Sequence, residues 1–171
     1  MVATTITIDA KEVEDALSRF LAAAADLSPV FKNIGEYEAQ ATKQRFRDQK
    51  DPDGNAWQAL NPLYKETKKG PRILTGQTGD LSRIIWQLAS STSVDIGSDM
   101  IYARIHNEGG TIVPKNAAAL IFSMGGKTFA VKSVKIPKRQ FLGINDEDRV
   151  RIEEIIEDHF LDAIEQAGSS N

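Results

Sequence analysis

Three groups of residues in this chain of 171 have types and spacings that could support chemistry. The first is Gly126-Lys127-Thr128, which resembles the end of a phosphate-binding loop. Such a loop needs a glycine five residues before its Gly-Lys pair, where this chain has Ile121. It also needs a strand before and a helix after, so that backbone N–H groups surround the phosphate. Because β-rich segments flank Gly126 on both sides, the sequence predicts no nucleotide site here.

The second group is an acidic turn. Asp51, Asp53 and Asn55 occupy the first three odd positions of a loop of the EF-hand type. That loop requires a glycine at its sixth position and a bidentate glutamate at its twelfth. This chain has Ala56 and Pro62 there. The sequence therefore predicts a turn without calcium, and no cofactor is expected in this protein.

The third group surrounds His106, one of two histidines. Glu108 is two residues away, and Asp95 and Asp99 precede it, which permits a loose set of histidine and carboxylate metal ligands. No HExxH spacing and no Ser-His-Asp arrangement accompanies it. A structural or hydrogen-bonding role is the favoured prediction for His106. A metal-dependent hydrolase that uses His106 and these carboxylates stays open as an alternative.

The charges of the chain are unevenly distributed around a net charge of −3. From Asn145 onward, nine acidic residues stand against two arginines, a net −7, so the first 144 residues sum to +4. The overall negative charge argues against a dedicated nucleic-acid binder. The split indicates either an ordinary solvated surface or two complementary surfaces that meet in neighbouring subunits. The second interpretation predicts an interface on the basic residues of one segment without acidic residues: Lys115, Lys127, Lys132, Lys135, Lys138 and Arg139.

Composition favours an ordinary globular protein of one domain, residues 1–171. Hydrophobic residues make up 41% and charged residues 26% of the chain. The absence of cysteine excludes disulfides and thiolate metal sites and suits a reducing cytoplasm. We expect neither a signal peptide nor a membrane span, because no apolar run approaches the ~20 residues that a bilayer requires.

Apolar spacing and capping signals predict five helices and several strands. Asp9, with Glu12 three residues later, begins the first helix, and Ser28-Pro29 begins the second as an N-cap followed by proline. The apolar stripe expected to face the core on the first helix consists of Val13, Leu17, Phe20, Leu21 and Ala24. The predicted helices end near residues 26, 48, 69, 106 and 167, and the predicted extended segments are 4–8, 81–88, 93–97, 111–113, 119–123 and 128–134.

These elements predict an α+β fold. An N-terminal helical hairpin and a C-terminal helix should pack on a small, mainly antiparallel sheet. Residues 111–135 should form a projecting β-hairpin around Gly125-Gly126, and residues 168–171 a flexible tail. Trp57 and Leu60, after a Pro-Asp-Gly turn, are expected to anchor in the core.

The order of several motifs resembles the phage virion morphogenesis family, which contains the tail completion and tail-morphogenesis proteins of P2-like and Mu-like tailed phages. The resemblance covers about residues 10–163. The motifs that carry it are Pro52-Asp53-Gly54 with Trp57 and Leu60, Ile73-Leu74, Thr78-Gly79-Asp80-Leu81, Ile96-Gly97, Tyr102-Ala103 with Ile105-His106 and Gly109-Gly110, and Ile136-Pro137 with Phe141-Leu142-Gly143.

The resemblance implies a structural, non-enzymatic protein of tail assembly or of the head-proximal tail end, with a head–tail connector as the alternative. It implies that the protein binds copies of itself, as a homo-oligomer or ring, and also binds tail tube, terminator or connector proteins. It implies neither a specific nucleic acid nor a membrane as a partner. The implied location is the host cytoplasm during assembly, then the tail or neck. An architectural role is expected for Gly54, Trp57, Gly79, Leu81, Gly97, Tyr102, His106, Gly109, Gly110, Pro137, Phe141 and Gly143.

Overall fold

The computed structural model describes residues 10–76 and 78–165. Within them the fold is α+β, as predicted. The helices are α1 (Ala10–Ala25), α2 (Ser28–Asp48), α3 (Pro62–Thr67), α4 (Ala103–Glu108) and α5 (Asp146–Glu165). The strands are β1 (Ile85–Ser90), β2 (Ser93–Gly97), β3 (Gly110–Ile112), β4 (Leu120–Met124), β5 (Lys127–Val131) and β6 (Val134–Ile136). The predicted strand 4–8, the cap Asp9 and the tail 168–171 lie outside the described residues.

The described strands form three two-stranded sheets rather than one sheet. β1 pairs with β2, and β4 pairs with β5 across Gly125-Gly126, as predicted. Both glycines have positive φ angles, 59° and 71°, which the tight turn requires. The third sheet was not predicted: β3 pairs with β6 in antiparallel register, with Gly110 opposite Ile136. This third sheet closes the base of the predicted projecting segment.

The predicted strand 81–88 was wrong at its start. Residues Asp80–Ser82 form a turn of 3-10 helix instead, and β1 begins at Ile85. Side chains stabilise the turn: the carboxylate of Asp80 accepts hydrogen bonds from Thr78 and Arg83, and Ser82 Oγ donates to Gly79 O at 2.7 Å. Such local side-chain bonds compete with the ladder of a sheet. The predicted alternation holds within β1, where Trp86 and Leu88 are half-buried.

The helix boundaries follow local signals, with three corrections. Asn61 caps α3, because its Oδ1 accepts from Leu63 N at 3.0 Å, and α3 ends at Thr67. Ser28, predicted to be the cap of α2, is instead its first helical residue, and the carboxylate of Asp26 accepts a hydrogen bond from the backbone N–H of Ser28 at 2.9 Å. The predicted helix 101–106 lies at Ala103–Glu108 and ends at Gly109.

The described chain divides into two compact units. The helical unit consists of residues 10–36, 87–95 and 147–165, and the core unit of residues 37–86 and 96–146, without residue 77. The principal hydrophobic cluster lies in the core unit. Its buried members are Ala39, Phe46, Trp57, Leu81, Ile84, Ala103 and Phe141.

Within this cluster, aromatic rings supply much of the contact. Phe46 lies between Trp57, at a ring-centroid distance of 5.4 Å in an edge-to-face arrangement, and Phe141, at 5.0 Å. Both spacings are typical of favourable aromatic pairs. Trp57, predicted to be an anchor, is buried, which confirms that prediction.

Gly109 permits the close approach of two segments in the core unit. Its φ is 74°, and a Cβ atom at this position would lie 2.7 Å from Lys138 N and 3.0 Å from Lys138 Cα. Backbone atoms cannot swing aside as a flexible side chain can. Only glycine therefore fits both the φ angle and the space between α4 and residue 138.

Gly109→Ala should lower the free energy of unfolding by roughly 1–3 kcal/mol, because it imposes a strained φ and a clash with backbone. Urea unfolding monitored by circular dichroism measures the change. Gly97→Ala is the matched control, since no heavy atom lies within 4 Å of its Cβ position. Equal effects of the two substitutions would contradict the close approach described for Gly109.

Candidate interaction surface

The segment 139–143 of the core unit is held by side chains from distant parts of the sequence. Asn107 Oδ1 accepts hydrogen bonds from Phe141 N at 3.0 Å and Leu142 N at 2.9 Å. Trp57 Nε1 donates to Gln140 O at 2.8 Å. Phe141 between these bonds is completely buried. The segment is thus fixed by polar bonds on both sides of a buried aromatic anchor.

Arg45 of α2 adds charge-assisted bonds to the same segment. Its Nη1 donates to Phe141 O at 3.2 Å and to Gly143 O at 2.7 Å. Arg45 is buried, and hydrogen bonds from a charged donor are stronger than neutral ones. Further on, Asn145 Nδ2 donates to Pro52 O at 2.8 Å. The Pro-Asp-Gly turn is therefore tied to the end of the segment.

Arg139 at the start of this segment is buried and bonded to backbone. Its Nε donates to Gln58 O at 2.8 Å and its Nη2 to Ala59 O at 3.1 Å. Its own N–H donates to His106 O at 2.9 Å. Burial lowers the pKa of the guanidinium from its ordinary value. Arg139 thus differs from the five predicted interface lysines, all of which are exposed.

His106 lies in α4 beside Arg139. Its ring is edge-to-face with Tyr102, at a centroid distance of 6.0 Å. Its Nδ1 is buried and has no hydrogen-bond partner among the described residues. Burial, followed by the positive charge of Arg139, lowers the pKa of His106 below its ordinary value. The neutral ring is therefore the favoured form.

The carboxylates near His106 in sequence do not form a metal site with it in the described chain. Glu108 pairs with Arg104, whose Nε lies 3.0 Å from Glu108 Oε2. Residues 10–76 and 78–165 contain no group of three or more His, Asp or Glu side chains that could hold a metal ion. Asp51 accepts from both the backbone and the side-chain amide of Asn55, which is the turn that the sequence predicts.

A groove of about 970 Å³ opens beside His106 and Arg139 within the core unit. Apolar and aromatic side chains dominate its lining, including Tyr64, Leu74, Tyr102, Phe122, Met124 and Pro137. Lys68 and Lys135 contribute positive charge to it. Lys68 Nζ also donates to Thr75 O at 2.7 Å, which fixes one wall. The groove could accommodate several apolar side chains of a partner.

The predicted hairpin, residues 111–135, forms one wall of this groove. In β4–β5, Phe122 stacks on Phe129 at a centroid distance of 5.7 Å. Lys127 lies opposite Met124 in the β4–β5 sheet, and Lys135 lies opposite Thr111 in the β3–β6 sheet. The fold thus places basic side chains along one segment whose apolar residues line the groove.

The two units differ strongly in charge. The helical unit contains 14 acidic and five basic residues, a net charge of −9, and the core unit contains 16 basic and nine acidic residues, a net charge of +7. Of the nine acidic residues of α5, all but Asp148 are exposed. The sequence predicted a charge split at residue 145, and the fold adds residues 10–36, with five acidic and three basic residues, to the negative side.

The apolar stripe on α1 was predicted from the sequence, but its exposure to solvent was not. Its residues were expected to face a core, yet no residue of α1 is buried. Leu17 is 57% exposed and Leu21 is 67% exposed. The 3.6-residue spacing identified the stripe, but spacing alone does not distinguish a stripe that faces the core from one that faces a partner.

Comparisons with known proteins identify one family. The model of the phage virion morphogenesis family matches residues 8–161, most of the chain. No curated protein and no solved structure gives a significant match. No helix within the described ranges is both long and apolar enough to cross a membrane.

His106 should lower the free energy of unfolding of the protein as the pH becomes acidic. Its pKa in the folded state is lowered, so the unfolded chain binds the proton first as the pH falls through about 6.5. We expect the stability difference between the wild type and His106→Gln to shift against the wild type between pH 7.5 and pH 5. Urea unfolding at each pH measures it.

His159→Gln controls for the loss of a histidine outside the groove. NMR titration of the ring of His106 gives an independent measurement. A folded-state pKa at or above 6.5 would show that the ring is not buried as described.

Proposed function

The chain belongs to the phage virion morphogenesis family, and we propose that it is a structural, non-enzymatic protein that completes the tail at its head-proximal end. The observation that carries this proposal is the family match across residues 8–161. The protein acts in the host cytoplasm while tails assemble and then resides in the tail or the neck. Its candidate surface fits this role, because an apolar groove beside exposed lysines suits a protein partner.

The contacts of His106 support a structural role rather than catalysis. A metal-bound histidine needs further ligands that converge on one point with its ring nitrogen. Here the ring of His106 packs against Tyr102, and its nearest carboxylate in sequence, Glu108, pairs with Arg104. The backbone oxygen of His106 receives the N–H of Arg139. The residue thus connects α4 to the segment that follows the hairpin.

The charge distribution supports self-association as part of this function. Five exposed lysines, Lys115, Lys127, Lys132, Lys135 and Lys138, lie on a segment without acidic residues, and the helical unit carries −9. Opposite fields steer two surfaces together and fix their register. We therefore propose a homo-oligomer, in the form of a ring, that joins the tail tube to the terminator or connector proteins.

A head–tail connector is the neighbouring function from which this proposal must be separated. Tails purified from a phage defective in head assembly distinguish the two, because a tail-completion protein is present on free tails. Quantitative mass spectrometry of free tails, free heads and whole particles measures where the protein resides. Its presence on heads and its absence from free tails would establish the connector role instead.

Replacing Lys132, Lys135 and Lys138 with glutamate should abolish the assembly of infectious particles. The triple variant reverses the charge of the proposed interface at exposed positions, so the fold should persist. Complementation of a phage that lacks the wild-type protein measures the effect as plaque titre, and electron microscopy shows which intermediate accumulates. A loss of at least ~100-fold in titre is expected, since each repelled charge pair contributes about 1 kcal/mol or more.

The control for this experiment reverses three exposed basic residues outside the hairpin: Lys32, Lys50 and Arg72. It changes the net charge by the same amount, so a general effect of charge would appear in both variants. Assembly that tolerates the triple lysine variant as well as the control would refute the interface on these lysines.

A further inference from the structure

The helical unit exposes an apolar face that a monomer in water would be expected to cover. Val13, Leu17, Phe20 and Leu21 follow the i, i+4, i+7, i+8 pattern that places them along one side of α1. All four have exposures of 39% to 67%. Contiguous exposed apolar patches on soluble proteins mark interaction surfaces.

α5 extends this face. Phe160 contacts Phe20 at a ring-centroid distance of 4.9 Å, and the ring of His159 lies 3.2 Å from Ala23 O. Ile156 and Ile164, four residues before and after Phe160, share its side of α5, and both are exposed. We call this surface the α1/α5 face: Val13, Leu17, Phe20, Leu21, Ile156 and Ile164.

The groove of the core unit has the complementary properties. It is lined by Tyr64, Tyr102, Phe122 and Met124, and its volume of about 970 Å³ lies at the upper end of the ~300–1,000 Å³ typical of binding pockets. The groove can thus receive the apolar anchors of one helix face, a common mode of recognition.

Charge determines which occupant the observations favour. The unit that carries the α1/α5 face has a net charge of −9, whereas the unit that contains the groove has +7. Two α1/α5 faces brought together symmetrically would juxtapose two acidic units, and like charges at an interface oppose association. An apolar groove with basic residues is the complementary surface, and a second copy of this chain supplies one.

We propose that the α1/α5 face of one copy binds the groove of the core unit in a second copy. This inference rests on the proposed tail function, whose self-association it specifies. The two surfaces are different, so a bound pair of copies still presents one free face and one free groove. Such heterologous contacts repeat from copy to copy and close into a ring when the rotation between neighbours permits.

The test uses two variants of the full-length protein that disrupt the two surfaces separately. The face variant carries Leu17→Glu and Leu21→Glu, and the groove variant carries Tyr64→Glu and Tyr102→Glu. All four side chains are exposed, so folding should persist, which circular dichroism and thermal unfolding check. Solution mass is measured by light scattering across concentration, at low and high salt.

The wild type should form a discrete oligomer larger than a dimer, which weakens at high salt. Each variant alone should have the 18.8 kDa mass of the monomer. An equimolar mixture should give a 1:1 dimer and nothing larger, because one intact face can then bind one intact groove. The control variant Ser18→Glu with Ala22→Glu adds the same charge at exposed positions, each about 100° around α1 from the leucine that precedes it, and should assemble as the wild type does.

Three results would overturn the inference. A groove variant that dimerises alone would indicate symmetric contact between α1/α5 faces. A mixture that stays monomeric would show that the two surfaces do not bind each other. A wild type that is monomeric at every concentration would exclude self-association of the free protein.

Plaque complementation with the same variants separates this inference from the proposed function. If the wild type is monomeric while the lysine variant still abolishes assembly, the contact between copies is refuted and the tail function stands. If the mixture forms the dimer but both variants support normal titres, the contact is real and the proposed role of self-association in the tail is refuted.

Discussion

The backbone of residues 139–143 is the constraint on which the core unit depends. It accepts hydrogen bonds from Trp57 and Arg45 and donates to Asn107, which lie in three distant parts of the sequence, and Phe141 fills the space between them. A buried backbone group that loses its partner costs about 1–3 kcal/mol, so each of these side chains is needed where it lies. Arg139, at the start of the segment, then fixes one wall of the groove by bonding to Gln58 O and Ala59 O.

Local signals in the sequence were sufficient for most elements. The start of α2 at Ser28, the cap at Asn61 and the Gly125-Gly126 hairpin depend on residues within a few positions of one another. The pairing of β3 with β6 was not predictable in this way, because it joins segments separated by the whole hairpin. The 3-10 turn at Asp80–Ser82 was missed because alternating hydrophobicity suggested a strand, whereas hydrogen bonds from neighbouring side chains determine the conformation.

The sequence indicated which charged residues belong to the candidate surface, but it did not show which of them, or which apolar residues, the fold would leave exposed. The lysines of the hairpin are exposed, as their number in one segment indicated. Arg139 belongs to the same run of sequence, yet the fold buries it and satisfies its guanidinium with backbone oxygens. The apolar stripe of α1 shows the opposite case: a pattern typical of a core helix lies at the surface. Sequence periodicity reports which residues share a side of a helix, and only tertiary structure reports what that side faces.

The short β3–β6 sheet has an evolutionary consequence. It holds the two ends of residues 111–135 next to each other, so the ends stay closed whatever the length of the segment between them. For a loop closed in this manner, doubling its length costs only about 0.6 kcal/mol of closure entropy. Insertions and deletions in this segment therefore cost little closure entropy. The segment can therefore change in length while β3, β6 and the core unit to which they belong stay the same.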